Sequence, residues 1–355
     1  MRGWLGKTKA LALLGLLLLL LSGCGKENLT ALIPKGYGSQ SSMDLIVLTT
    51  VVMSTVFLVV ALLLVIVLIR FRKKKGQEDF IPKQVEGSVP LETVWTAIPI
   101  ILVIIMAVPT VMAEFDLADT EKRDDHRSIT VTGFQYWWHF DYEDDEIQTS
   151  QDLYIPVGEK VYLDLKSKDV LHSFWIPSLA GKLDVNPENV NTFYIEAYEE
   201  GVYYGKCAEL CGASHALMDF KVIAVDPDDY DQWVSDMQSF DPEELELDAV
   251  AQEGKELFEA NNCMSCHAIG GSNDPIGPNL ANFGDRSRFA GVLDPTKENL
   301  VDWIMDPDQI KPDNKMKTDA YPEISEEDAE KMAEYLMELK PSDVTPDSVP
   351  DLASE

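Results

Sequence analysis

Within twelve residues, Cys207-Ala-Glu-Leu-Cys211-Gly-Ala-Ser-His215-Ala-Leu-Met218 sets two thiols, an imidazole and a thioether at C-x3-C-x3-H-x2-M spacing. Soft sulfur together with imidazole is the donor set that selects copper. A mononuclear blue-copper centre takes two His, one Cys and a weak Met, so the second Cys supplies bridging thiolate for two coppers that share an electron. The spacing differs from the C-x2-C of thioredoxin-like redox pairs and of ordinary zinc ribbons; a zinc site or a structural disulfide stays open as the alternative. A copper pair needs a second imidazole. His172, in Asp169-Val170-Leu171-His172-Ser173-Phe174-Trp175, is the candidate, because His126 lies in a charged run and His139 in an aromatic one.

A second constellation follows at Cys263-Met264-Ser265-Cys266-His267. C-x2-C-H is the c-type haem attachment signature: both thiols add to the haem vinyl groups and the adjacent His becomes an iron ligand. A Met as sixth ligand would raise the potential into the range of an electron carrier. Lys311-Pro312-Asp313-Asn314-Lys315-Met316 reads as a rigid distal turn and selects Met316, whereas Met305 is expected to pack and Met332 and Met337 to lie in a helix core. The remaining cysteine, Cys24, leaves an odd count with two tight pairs, which does not describe a disulfide scaffold.

The elements that must position these groups differ along the chain. Residues 128–225 alternate, as in Val161, Leu163 and Leu165 against Tyr162, Asp164 and Lys166, and predict an all-β sandwich or barrel. Cys207 and Cys211 then fall on a loop after a strand ending at Lys206, and His172 at the end of another strand. An aromatic strand over 133–140 sends Phe134, Tyr136, Trp138 and Phe140 to one face and Trp137 to the other. Residues 226–240 predict a covering helix, 241–247 an acidic linker, and 248–340 a small helical domain closed by a helix that starts at Ser325-Glu326-Glu327-Asp328. The Pro/Asp/Ser-rich stretch 341–355 is expected to lack structure.

The N-terminal third is of another kind. Residues 1–23 have the layout of an export signal, and Leu21-Ser22-Gly23-Cys24 resembles a lipoprotein cleavage site, with lipid on the Cys24 thiol. Two apolar stretches, 45–69 and 91–112, each suffice to cross a bilayer, and Arg70-Phe71-Arg72-Lys73-Lys74-Lys75 between them places that connection in the cytoplasm and both chain ends outside. Glu92 stands at the membrane edge of the second span, where it either reaches the headgroups or opens a proton route. Residues 1–112 carry 11 Lys+Arg against 6 Asp+Glu, and the remainder 18 against 55. So acidic an exterior argues against nucleic-acid binding and suits basic protein partners or simple solvation.

Taken together, these motifs resemble subunit II of bacterial cytochrome c oxidase with a cytochrome c domain fused to its C-terminus. The resemblance implies a multidomain membrane protein: a two-helix transmembrane hairpin within 24–112, a cupredoxin-like Greek-key barrel over 113–240, and a small all-α cytochrome c domain. It implies a dinuclear copper (CuA) centre held by His172, Cys207, the Glu209 backbone carbonyl, Cys211, His215 and Met218, with covalent haem c on Cys263, Cys266, His267 and Met316. It also implies proton uptake at Glu92, an electron-accepting patch at Tyr136, Trp137 and Trp138, and magnesium on the Glu209 side chain at the interface with subunit I. Tyr136 stands where relatives commonly have Trp, and Lys317 where Pro often follows the ligand. The partners implied are an oxidase subunit I with two haems and a third copper, further membrane subunits, and a cytochrome or quinol–cytochrome c reductase as donor. The oxygen chemistry would lie on subunit I. The copper-containing subunit of a membrane nitric oxide reductase, or a free membrane-tethered carrier, is the alternative.

Overall fold

The computed structural model describes residues 13, 15, 29–72, 76, 81, 83–84, 86–118, 120, 126–271, 276–319 and 321–350. Cys24 and most of the expected signal lie outside the described residues. Two long helices, α1 (Tyr37–Arg70) and α2 (Val89–Leu117), contain the expected spans and extend beyond them. Pro90 opens α2, where its missing N–H costs no intrahelical bond, and Pro99 and Pro109 lie inside it. Tyr37 at the start of α1 donates to the Asp116 carboxylate at the end of α2, so the helices run as an antiparallel pair.

The first turn of α1 is joined to the β domain through main chain. Lys35 N donates to Ser178 O at 2.8 Å, Ser39 N to Leu179 O at 3.0 Å and Tyr198 N to Lys35 O at 2.8 Å, while Gly36 forms a bridge with Ala197. A side chain at Gly36 would put its Cβ 2.8 Å from Leu179 O, so only glycine permits this approach.

Ten strands follow: β1 (Arg127–Phe134), β2 (Trp137–Tyr142), β3 (Ile147–Ser150), β4 (Asp152–Pro156), β5 (Val161–Ser167), β6 (His172–Trp175), β7 (Lys182–Val185), β8 (Asn191–Ile195), β9 (Gly201–Cys207) and β10 (Asp219–Val225). They form two five-stranded sheets, ordered β3-β2-β1-β5-β8 and β4-β10-β9-β6-β7. The β1–β5 and β4–β10 pairs are parallel and the rest antiparallel. The result is a β-sandwich of the cupredoxin-like kind. Phe174 and Phe220 stack at 4.2 Å in its interior, with Trp138 edge-on to Phe174 at 5.1 Å.

Two expectations change here. The aromatic run is a hairpin, β1 turning into β2 at Gln135 and Tyr136, with Phe134 paired opposite Trp137. Directly opposed residues share a face, so Phe134 stacks on Trp137 at 4.4 Å while Tyr136, Trp138 and Phe140 are buried. Cys207 is the last residue of β9, not the first of the loop, and ladder pairing with Phe174 fixes its backbone.

Helix α3 (Pro227–Ser239), capped by Asp226, lays Trp233 on Tyr154 at 4.5 Å and closes one end of the sandwich. The helical domain contains α4 (Ala249–Ala260), α5 (Lys297–Met305), α6 (Pro307–Ile310) and α7 (Glu326–Met337), the last capped by Ser325 as its sequence predicts. Gly254 of α4 lies directly on the α7 backbone at Lys331, and Phe258 meets Tyr335 at 6.1 Å. Residues 341–350, expected to lack structure, instead pack: Val344 and Val349 are 9% exposed and join the apolar cluster of the β domain. Composition reads polarity but not two valines spaced to fill a groove.

Candidate functional site

The end of β9, the loop after it and the first residue of β6 converge on one buried set of donor atoms. His172 Nδ1 lies 3.9 Å from Cys207 Sγ, which is 3.9 Å from Cys211 Sγ and 3.3 Å from the Glu209 carbonyl oxygen. Cys211 Sγ lies 3.6 Å from His215 Nδ1 and 3.8 Å from Met218 Sδ. All six residues expected from the sequence therefore face one point. His172, Cys207 and Cys211 are buried with their donor atoms within 4.8 Å of one another. Sulfurs 3.9 Å apart are not a disulfide, whose bond is about 2.05 Å, and six donors exceed the four of a closed structural zinc site. The set fits copper.

Local charge is arranged around the same atoms. The Cys207 thiol is pushed down to about 3, first by its hydrogen bond with Cys211 and then by His172, while the same sharing of a proton and burial push Cys211 up. Asp169, which sequence reasoning passed over, sits 2.8 Å from His172 Nε2 and accepts the main-chain N–H groups of Gln135 and Val170, each at 2.6 Å. Burial works against the charged forms of both, but their mutual hydrogen bond lowers Asp169 and raises His172. With Nε2 turned to a carboxylate, Nδ1 is the nitrogen left to face the sulfurs. Gln135 also donates to the Cys211 carbonyl at 2.5 Å.

The three aromatics occupy different environments. Trp138 is fully buried, edge-on to His172 at 5.8 Å, and its Nε1 donates to Met218 O at 3.4 Å. Trp137 is half-buried on the outer face. The Tyr136 hydroxyl accepts Ala213 N at 3.0 Å and donates to Asp313 of the helical domain at 2.8 Å.

In the helical domain, Cys263 is half-buried and Cys266 exposed, and no disulfide joins the described cysteines. His267 Nδ1 donates to Pro278 O at 2.9 Å, leaving Nε2 for a metal, and burial lowers its pKa. Gly277 makes this possible, since a Cβ there would lie 3.1 Å from both Cys266 O and His267 Cε1. Two thiols beside an imidazole with one nitrogen committed fit covalent haem. Met316 is half-buried on the loop after α6, its N–H held by Asn314 Oδ1 at 2.9 Å. Met305, expected to pack, is 40% exposed at the end of α5, whereas Met332 is 1% exposed as a core residue. Glu92 lies exposed in the first turn of α2.

Fold and site together define a class: a membrane-anchored, cupredoxin-like protein with a copper-type donor set and a fused cytochrome-type domain. Residues 39–112 match the family described as the transmembrane domain of cytochrome c oxidase subunit II, 146–225 its periplasmic domain, and 251–340 cytochrome c. The chain is 48% identical to a cytochrome c oxidase subunit 2 of Alkalihalophilus pseudofirmus, over 92% of this chain and 96% of the relative. It is 45% identical to that of Bacillus subtilis, over 94% and 98%. A quinol oxidase subunit 2 of Bacillus cereus matches at 34% identity, over 64% of this chain and 78% of the relative. The chain belongs to the cytochrome c oxidase subunit II family, as a terminal-oxidase subunit carrying its own cytochrome c domain. Membership implies CuA copper in the β domain, haem in the helical domain and a subunit I as partner.

Proposed function

We propose that this chain is the electron-input subunit of a proton-pumping oxidase, passing electrons from haem c on its own C-terminal domain to a dinuclear copper centre and on to subunit I, where oxygen is reduced to water. The observation that carries this reading is the convergence of His172, Cys207, Glu209, Cys211, His215 and Met218 on one buried point in a chain that also carries Cys263, Cys266 and His267. When bound, haem and the copper pair supply reversible one-electron carriers.

The protein's own part is positioning. Ladder pairing anchors Cys207, Asp169 turns His172, and the loop from Ala208 to Met218 closes over the sulfurs. Cys263 and Cys266 would hold the haem covalently, with His267, oriented by Pro278, and Met316 as the residues that would bind its iron. Glu92 takes up protons at the cytoplasmic edge of α2, and the β and helical domains stand on the outer face of a bacterial membrane. Cys24 carries lipid after removal of residues 1–23. Magnesium bound by the Glu209 side chain at the subunit I interface belongs to the same reading, with Tyr136 and Trp137 on the electron-accepting face and Trp138 beneath the copper loop. The electron donor is a cytochrome or a quinol–cytochrome c reductase.

Purification in mild detergent tests this directly. A partner with two haems that consumes oxygen should accompany the chain, with copper and one covalent haem on the chain itself. Isolation of the chain alone, or consumption of nitric oxide in place of oxygen, overturns it.

A further inference from the structure

Three successive residues of the helical domain bind the copper loop and its supporting turn. Lys311 is 3% exposed, and its ammonium donates to Tyr136 O in the β1–β2 turn and to Ala290 O of its own domain, both at 2.7 Å. Pro312 O accepts Ser214 Oγ at 2.6 Å, immediately before His215. Asp313 accepts the Tyr136 hydroxyl at 2.8 Å, and that hydroxyl accepts Ala213 N. The neighbouring turn fits as closely, for a Cβ on Gly291 would lie 2.7 Å from Leu217 O. A buried lysine is costly unless its donors are satisfied. Here the two acceptors come from the two domains, so satisfying it requires the domains to be in contact.

We infer that Lys311, Pro312 and Asp313 form an interdomain clasp in which Lys311 is the positioning residue. The clasp docks the cytochrome domain on the copper loop and covers the Tyr136 face, so an outside protein donor cannot use that face and must deliver its electron to the cytochrome domain. Rigid docking also fixes the route between the two candidate centres. From Met316 the main chain runs back to Pro312, crosses one hydrogen bond to Ser214 and reaches His215 in the next residue. The clasp rests on the proposed function only for its electron-transfer consequence.

The experiment uses the full chain in its purified complex, with Lys311→Met, which keeps the side-chain volume and removes both bonds. Asp313→Ala is the companion at an exposed position, Asp313→Gly controls for the strain that Ala meets at the left-handed φ of 63° there, and Asp313→Asn retains an acceptor for Tyr136. Amide exchange at Ala213 and its neighbours through Leu217 should rise at least tenfold in Lys311→Met, less in Asp313→Ala, and stay near wild type in Asp313→Asn. With haem and copper absorbance unchanged, electron equilibration between the two bands after a light-triggered reduction should slow at least tenfold in Lys311→Met. A soluble basic cytochrome c should then reduce the copper band directly, which it should not do in the wild type. Unchanged exchange in both Lys311→Met and Asp313→Ala overturns the clasp. Exchange reads the docking whatever the chain binds, so missing copper or haem bands would defeat the proposed function and leave this result standing.

Discussion

Replacing Asp169 with alanine separates a histidine that merely packs from one held ready for metal. The substitution removes the acceptor of His172 Nε2 and of the main-chain N–H groups of Gln135 and Val170, besides a longer 3.5 Å contact from Ser167 Oγ. His172 is wholly buried, and a buried donor left without its partner costs about 1–3 kcal/mol. The two amides lie where water can reach them, so each loses only the net worth of an ordinary hydrogen bond, about 0.5–1.5 kcal/mol at most. The metal-free protein should therefore lose roughly 2–6 kcal/mol of stability. Freed to rotate, the ring should also cost about 10–100-fold in copper affinity, the usual effect of removing the partner that orients a ligating histidine. Asp169→Asn keeps one oxygen, for Nε2 and Val170 N, but turns its NH2 toward the Gln135 N–H, so it should recover most of the copper affinity and only part of the stability. Chelator competition, followed through the visible copper band of the purified chain, measures affinity, and thermal unfolding of the metal-free protein measures stability. Wild-type copper affinity in Asp169→Ala would refute the assignment of His172 Nδ1 as a ligand held in place by Asp169.

Met218→Leu should perturb the copper spectrum and leave the haem bands unchanged, and Met316→Leu should do the reverse; absorption spectra of the two purified variants decide it. Gly277→Ala should leave covalent haem content intact while shifting the axial-ligand absorption, because the new Cβ crowds His267 and forces its ring to move by a few tenths of an ångström. Asp285 is pushed up to about 7 by burial, against a weak bond from Ser342 N. Its folded-state value lies above the unfolded one, so the stability it contributes is full below about pH 4 and is lost as pH rises to about 7. Asp285→Asn should accordingly raise the melting temperature at pH 8 and have little effect at pH 4, and a variant equally stabilised at both would contradict that sign.

Much of the site was legible because its chemistry is local in sequence. Cys207 to Met218 and Cys263 to His267 each carry most of their donors within one turn and loop, so spacing alone narrows the chemistry to a few choices. The alternation of 161–166 and the uncharged runs announced the sandwich and the hairpin for the same reason. What stayed hidden depends on distant main chain. The turn at Gln135 and Tyr136 interrupts an aromatic run without Gly, Pro or Asn to announce it. The value of Gly36, Gly254 and Gly277 lies in backbones that approach from elsewhere, at Leu179, Lys331 and Cys266. Lys311 reads in sequence only as part of a rigid distal turn, since nothing near it hints that Tyr136 supplies its acceptor. Asp169 did leave a trace, three residues before His172, but a single acid near a histidine is too common to read unaided.

The join at Gly36 turns α1 into a pillar. A helix of 34 residues is about 51 Å long, against about 30 Å of hydrocarbon, so roughly 20 Å of it stands among headgroups and water. The β domain is bonded to the first turn of that pillar through main chain, with no slack segment between them. A tilt of α1 is thereby passed by main-chain bonds to the β domain at Ser178, Leu179 and Tyr198, as a mast carries its platform.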